Sequence, residues 1–463
     1  MKGYEEYKTV DSNWLESLPC NWELLPLQSQ LQERKEKNDR NQTSFILSLT
    51  AAVGVIPYSE KKTGGNKAKD DITKYNIAHE NDLIVNCMNV VAGSSGMSKY
   101  YGAISPVYYA LYVRNDSSNI RYWEYIFRNK KFYSSLIGLG NGIMMKKSST
   151  GKLNTVRKRI PMNKLNRVML PVPSKSEQDQ IVRYLDWKVS EMNRFIREKK
   201  KQIKLLKEYR ENIICYYTHR GLIEDRKLYP SEFPWIEGVP DGWAETRLKY
   251  VLTKLSRERE PEYELLICSN KGKVFFRGDS KLGLVADDDS IYQGVKAGDL
   301  LIHGMDTWHG AIAISDYDGM CTGVVHVCST KENKRYIMYY LQSLAFKKVY
   351  KKITNGVREN TSDFRSWDKA GQINLLLPPI EEQNEIARVL DEKCEQIENL
   401  IQSLEEEIAY IEELKIKLIA DVVTGQVDVR DEIIPDYIPD SEAEALESDS
   451  LEDEDEEFLS EEE

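Results

Sequence analysis

Between residues 390 and 418 apolar side chains return every three or four positions. Leu390, Cys394, Ile397, Ile401, Leu404, Ile408, Ile411 and Leu418 keep a 4-3 spacing, with Lys415 filling one step. That spacing predicts a long helix carrying a heptad seam. Shifted back by 205 positions, the same rhythm runs through Leu185, Val189, Met192, Ile196, Ile203, Leu206 and Ile213, with Lys199 and Arg210 at the remaining steps. Pro173 with Ser174 and Ser176, and Pro378-Pro379, bar backward extension, and Glu177 and Glu381-Glu382 fall in the first turns, where the helix dipole favours negative charge. A helix of about 40 residues is roughly 60 Å long, and an apolar stripe of that length needs cover. Antiparallel packing of the two helices within the chain is the economical arrangement; a coiled coil between two chains is the other.

The stretches outside these helices read differently. Ser44 to Leu49, Ala103 to Val113, Leu300 to Ile302 and Gly323 to Cys328 resemble short strands separated by Gly, Asp and Asn turns, whereas Tyr122 to Tyr133 and Tyr336 to Phe346 resemble helices. Trp14-Leu-Glu-Ser-Leu-Pro19-Cys-Asn-Trp22 is answered by Trp235-Ile-Glu-Gly-Val-Pro240-Asp-Gly-Trp243 at an offset of 221. Pro173-Ser-Lys-Ser-Glu177-Gln178-Asp-Gln-Ile181 is answered by Pro378-Pro-Ile-Glu-Glu382-Gln383-Asn-Glu-Ile386 at an offset of 205, so the first copy is 16 residues longer. A weaker echo joins Asp82-Leu83-Ile84 to Asp299-Leu300-Leu301, and Tyr101-Gly102 to Asp318-Gly319. One unit is written twice. The expected fold is α+β: two globular domains joined by two long antiparallel coiled-coil helices, with a pseudo-two-fold internal repeat. The segments are 1–170, 171–220, 221–376 and 377–430, followed by an acidic, disordered tail at 431–463.

Composition narrows the class. With 463 residues, two domains or more are expected. No segment offers the roughly 18 apolar residues of a membrane span, and the first ten residues lack a signal-peptide core, so a cytoplasmic protein without a membrane partner is expected. The formal charge of −11 hides an asymmetry: residues 431–463 hold 17 Asp and Glu and no Lys or Arg, leaving 64 basic against 58 acidic residues in the body. A mildly basic body permits nucleic-acid binding. The tail serves solubility or competes with DNA for basic loops.

Signatures of catalysis are missing. There is no phosphate-binding loop, and Gly138-Leu-Gly140-Asn-Gly142 lacks the spacing of a dinucleotide fingerprint. The seven cysteines are scattered, and His303, Asp306, His309, Cys321 and His326 have no regular ligand spacing. No metal and no cofactor is expected on this chain. A nuclease using Glu33 beside Lys35 remains a weaker reading.

DNA reading needs cations for phosphates and polar or aromatic groups for bases. Lys146, Lys147, Arg157, Lys158 and Arg159 supply cations in the first copy; Lys271, Lys273, Arg277, Arg358 and Asn360 supply matching chemistry in the second, with Lys347, Lys348, Lys351 and Lys352 nearby. The turns after Met88 and Met305 sit at matched positions with dissimilar contents, Ser94, Ser95, Lys99 and Tyr100 against Thr307, Trp308 and His309. That contrast suits a variable reader, and equally two drifting surface loops.

The twice-used Pro-Glu-Gln helix start, the heptad helices and the closing Val423-Thr424-Gly425-Gln426-Val427 resemble the specificity subunits of type I restriction-modification enzymes, over nearly all of Trp14 to Arg430. The first copy departs at Thr218-His-Arg-Gly221, which replaces the tighter Thr424-Gly425 ending. The resemblance implies two target-recognition domains, each reading one part of a split double-stranded DNA sequence. It further implies a non-catalytic chain whose partners do the chemistry: a pair of modification subunits with S-adenosylmethionine, and restriction subunits with ATP and Mg. A coiled-coil scaffold without DNA specificity is the alternative.

Overall fold

The computed structural model describes residues 2–50, 54–61, 68, 69, 71–144, 157–260, 262–270, 272–278, 292–353 and 363–439, and at 141–144, 157 and 158 only their backbone. Contacts divide the chain into two units, one of Met1–Glu198 with Glu406–Glu452, the other built on Lys199–Glu405. The heptad segments form helices Lys175–Arg220 and Ile380–Val423. Ser174 is the cap of the first, its hydroxyl accepting from Glu177 N at 3.3 Å. Beyond each helix end, Gly221 and Gly425 adopt left-handed backbone with φ of 76° and 71°, the conformation glycine supplies where a helix stops.

Every apolar seam position is buried or half-buried. In the first unit Leu185, Val189 and Met192 share a core with Leu418, Ile419 and Val422. Gln180 donates to Val429 O at 3.0 Å and Asn193 accepts from Lys415 at 3.0 Å. Partner numbers fall as the helix is ascended, so the two segments are antiparallel. In the second unit Gly221 lies against the Glu382 carboxylate, and Arg210 acts on the Cys394 thiol, the same sense of pairing. The seam is therefore covered within one chain.

The globular parts repeat strand for strand. In the first, a four-stranded antiparallel sheet runs Leu31–Glu33, Tyr108–Val113, Leu83–Asn86, Ser95–Met97; in the second it runs Thr253–Lys254, Val325–Ser329, Leu300–His303, Ile312–Ile314. A smaller pair, Asn76–Ala78 with Gly102–Ile104, matches Gln293–Val295 with Gly319–Cys321. The weak echo at Gly102 and Gly319 has a steric cause: a Cβ at either would sit 2.8 Å from a backbone carbonyl, of Phe45 or Glu264. Strands Glu23–Pro26 and Ala244–Arg247 pair with Met169–Val172 and Asn374–Leu377, which lead into the long helices.

Two expected elements are broken by local chemistry. The run Ala103 to Val113 is two strands, because Tyr108 N turns back to Ser105 O around Pro106. The helix expected from Tyr122 to Tyr133 is Ile120–Arg128 followed by Lys130–Ser135, since Asn129 caps the second piece by accepting from Lys131 N. Of the 16 extra residues of the first copy, nine fall between residues 128 and 169, where the offset drops from 214 to 205. There Asn141–Met144 pairs with Arg157–Arg159, a hairpin with no counterpart among the described residues of the second unit. Residues 431–439 follow the first unit, with Glu432 O accepting from Gln180 at 2.8 Å and Ile434 packed on the core. The acidic run from Asp440 lies outside the described residues.

Candidate nucleic-acid interface

Each long helix starts in a cluster of polar side chains that fixes the globular part to it. Trp22 Nε1 donates to Glu177 Oε1 and Trp243 Nε1 to Glu382 Oε2, both at 3.0 Å. The two sequence motifs of the repeat thus meet in space. Gln178 and Gln383 accept from the backbone N of Asn119 (2.9 Å) and Asn333 (3.0 Å), and donate to Pro173 O (3.0 Å) and Pro378 O (2.8 Å). Asn119 and Asn333 in turn cap the helices Ile120–Arg128 and Lys334–Phe346.

On those helices Tyr125 and Tyr339 donate to Asp186 (2.7 Å) and Asp391 (2.8 Å), which also face Arg121 (2.8 Å) and Arg335 (3.2 Å). The buried Tyr122 hydroxyl lies 3.0 Å from Pro171 O and 3.1 Å from Val423 O; that of Tyr336 lies 2.8 Å from Leu376 O and 3.4 Å from Thr218 O. Burial holds both phenols well above their usual range, so they act as neutral donors. The Asn-x-Arg-Tyr-x-x-Tyr register behind this, Asn119 to Tyr125 and Asn333 to Tyr339, is present in the sequence at an offset of 214. The sequence reading missed it, because insertions had moved the offset away from both 221 and 205.

The helices so anchored back the four-stranded sheets, and each sheet turns on a matched 3-10 element, Val90–Ala92 and Thr307–His309. Gly93 and Gly310 close them with φ of 78° and 83° and donate to Val90 O (2.9 Å) and Thr307 O (3.0 Å). The first residue of each turn is buried, Val90 at 1% and Thr307 at 0% exposure, whereas Val91, Trp308 and His309 are half-buried and Ala92 is exposed. Trp308 stacks on His309 with centroids 6.2 Å apart, and the Lys351 ammonium sits 4.1 Å from the indole centroid. In the first unit the helix Lys130–Ser135, with Lys130 and Lys131 exposed, lies against the turn through Tyr133.

This register moves the candidates. The counterparts of Trp308 and His309 are Val91 and Ala92; Ser94 and Ser95 are buried at 7% and 1% exposure where the strand Ser95–Met97 begins. Tyr100 belongs to the frame: it packs edge-on to Phe45 at 5.8 Å as Tyr317 packs on Phe276 at 4.7 Å, each preceded by a serine hydroxyl donating to its carbonyl. Lys99 is exposed beside it. Arg159 is exposed and bonded to Tyr109, which raises its pKa. Lys273 is exposed and pairs with Glu398 at 2.8 Å, and Arg277 is half-buried. Lys146, Lys147, Lys271, Arg358 and Asn360, and the side chains of Arg157 and Lys158, lie outside the described residues.

The histidines of the second unit are engaged locally. His303 Nδ1 accepts from Asp306 N at 3.1 Å, and His326 Nε2 lies 2.6 Å from Phe364 O. Burial pushes the Cys321 thiol up to about 12. No group of three or more His, Cys, Asp or Glu able to hold a metal occurs among the described residues.

Residues 31–205 match the family model described as the type I restriction modification DNA specificity domain. The MjaVIII type I restriction enzyme specificity subunit of Methanocaldococcus jannaschii is 25% identical over 372 residues, covering 76% of this chain and 81% of that one. A second protein of that organism, named for the MjaX specificity subunit, is 26% identical over 290 residues, 58% of this chain and 62% of its own length. The chain thus spans less than two thirds of that relative. A solved chain titled for complex assembly and conformational transition of the type I R-M system shares the fold, with a TM-score of 0.58 at 14% identity over 89% of this chain and 99% of that one. The chain is thus similar to specificity subunits of type I restriction enzymes, with the family match confined to residues 31–205.

Proposed function

We propose that the chain reads a two-part double-stranded DNA sequence, one part with each globular unit, and brings modification and restriction subunits to it. The observation that supports this most directly is the contrast inside the repeat. The helix-start clusters keep their Trp–Glu and Asn–Gln bonds in both units, whereas the matched turns carry Val91-Ala92 in one and Trp308-His309 in the other. Two binders of the same ligand would have reason to keep their contact residues alike; two readers of different sequences would not. In this reading the chain positions and does not catalyse. The methyl donor S-adenosylmethionine, and ATP with Mg, belong to the partner subunits, two of which are modification subunits docked through the repeated helices. Linking two readers raises the effective concentration of the second once the first is bound.

The test is a domain exchange. Replacing residues 27–170 with the corresponding domain of another family member, and mapping methylated sites in cells carrying the chimera with its partner subunits, should change one half of the recognised sequence. A change in both halves, or in neither, overturns the reading. No helix among the described residues is long and apolar enough to cross a membrane.

A further inference from the structure

The two 3-10 turns are built so that their contents can change without moving the sheet. Each is held by backbone bonds: Asp306 O accepts from His309 and Ala311, and Asn89 O from Ala92 and Ser94, all at 2.9 to 3.3 Å. A left-handed glycine closes each turn and a buried first residue pins it. What remains are the second and third side chains, which reach the surface: Val91, Trp308 and His309 half-buried and Ala92 exposed. Their neighbours are cationic in both units: Lys130 and Lys131 on the helix beside the first turn, and Lys347, Lys348, Lys351 and Lys352 on the segment beside the second.

We propose that Trp308 and His309, with Lys351 beside them, are the base-reading element of the second unit, and that Val91 and Ala92 are its counterpart in the first. This rests on the DNA-recognition reading above and assigns its contact residues. Trp308 offers aromatic surface, and His309 a ring nitrogen, to base edges in a groove. Lys351, already lying over the indole at 4.1 Å, places a cation where a phosphate would pass. Val91 and Ala92 offer no hydrogen-bonding side chain. They suit the C5-methyl of thymine, so the half-site read by the first unit should contain a thymine that the second unit's half-site does not require.

The experiment uses the full chain with a random-sequence duplex library, selecting bound DNA at fixed salt and measuring affinity for the enriched sequence. Wild-type protein should return a two-part consensus. Trp308→Ala and His309→Ala should relax one part, leave the other intact, and weaken binding about tenfold to a hundredfold where base-edge contacts are lost. Ala92→Asp should disturb the other part alone. Lys351→Ala should weaken all sequences alike and reduce the slope of log affinity against log salt by about 1. Thermal melting guards against misfolding, and should Trp308→Ala fail to fold, the smaller His309→Ala decides. Variants that select the wild-type consensus with wild-type affinity overturn the assignment while leaving the function standing. Wild-type protein that enriches no sequence overturns both.

Discussion

The first unit holds its helix-start glutamate with a phenol; the second holds the equivalent glutamate with a guanidinium. Tyr4 OH donates to Glu177 at 2.6 Å, while Arg226 reaches Glu382 at 2.8 Å. Each donor sits beside a tryptophan that bonds the same carboxylate. The first unit also has a guanidinium, Arg430, five residues beyond its left-handed glycine as Arg226 is beyond Gly221, but it lies over the Tyr4 ring at 4.8 Å and not on the glutamate. What the repeat preserves is the requirement, a carboxylate withdrawn from solvent, buried at Glu177 and half-buried at Glu382, that must be hydrogen-bonded. The residue that meets it is free to differ, because the two units take it from different parts of the chain.

The shared element should matter more than the divergent one. Trp22→Ala or Trp243→Ala should each cost about 3–5 kcal/mol in its own unit, seen as faster hydrogen exchange in peptides of that unit and not of the other. Equal loss in both would mean the units do not fold as separate bodies. Next comes the divergent partner. Arg226→Ala breaks an ion pair whose side chains are only 11% and 18% exposed and should cost about 3 kcal/mol; Tyr4→Phe removes one of several donors to Glu177 and should cost about 1 kcal/mol. Similar losses in urea titration would remove the distinction.

A pH-dependent difference follows from His219, whose counterpart in the first unit is Thr424. Burial, with Lys347 nearby, lowers the His219 pKa to about 3 from 6.5, and its ring stacks on Tyr340 at 5.2 Å. Because the folded value lies below the unfolded one, the unfolded chain takes up the proton first. This contribution is intact above about pH 6.5 and is lost as pH falls toward 3. At pH 5 the second unit should be weakened by roughly 2 kcal/mol relative to neutral pH, and His219→Thr should remove that difference; hydrogen exchange at the two pH values checks it. The smallest effect is expected at the tyrosine hydroxyls. Tyr122→Phe and Tyr336→Phe should each cost about 1 kcal/mol, a little more in the first unit, where both carbonyls are within 3.1 Å. Denaturant titration against wild type reads the difference.

Much of this was legible in the sequence where chemistry is periodic. The heptad seam was readable because helix packing imposes a fixed spacing, and the Pro-Glu-Gln and Trp motifs because their residues touch at a constant register. That Trp22 bonds Glu177 was not readable, since 155 residues separate them. The turn register is the same from either marker, since Met88 to Met305 and Gly93 to Gly310 share an offset of 217; the first-copy candidates Ser94 to Tyr100 lie past the matched positions Val90 to Ala92. Ser94 and Ser95 fit the contrast between the two turns, yet they are buried where the strand Ser95–Met97 begins. The tyrosine cluster escaped notice because loop insertions had shifted its offset.

The start of the chain docks on its far end: Asp428 N donates to Lys2 O at 2.9 Å, and Tyr7 OH to Gly425 O at 3.0 Å. On a ribosome this sets an order opposite to that of synthesis. The unit that opens the chain must wait for residues 406–430, which at about 5–20 residues per second is roughly 10 to 50 s after its own last strand is made. Meanwhile the unit translated second already has all its segments. The nascent chain spends that interval with one finished domain and one still lacking the helix that seals its core, which makes the earlier domain the one more exposed to chaperones and proteases during synthesis.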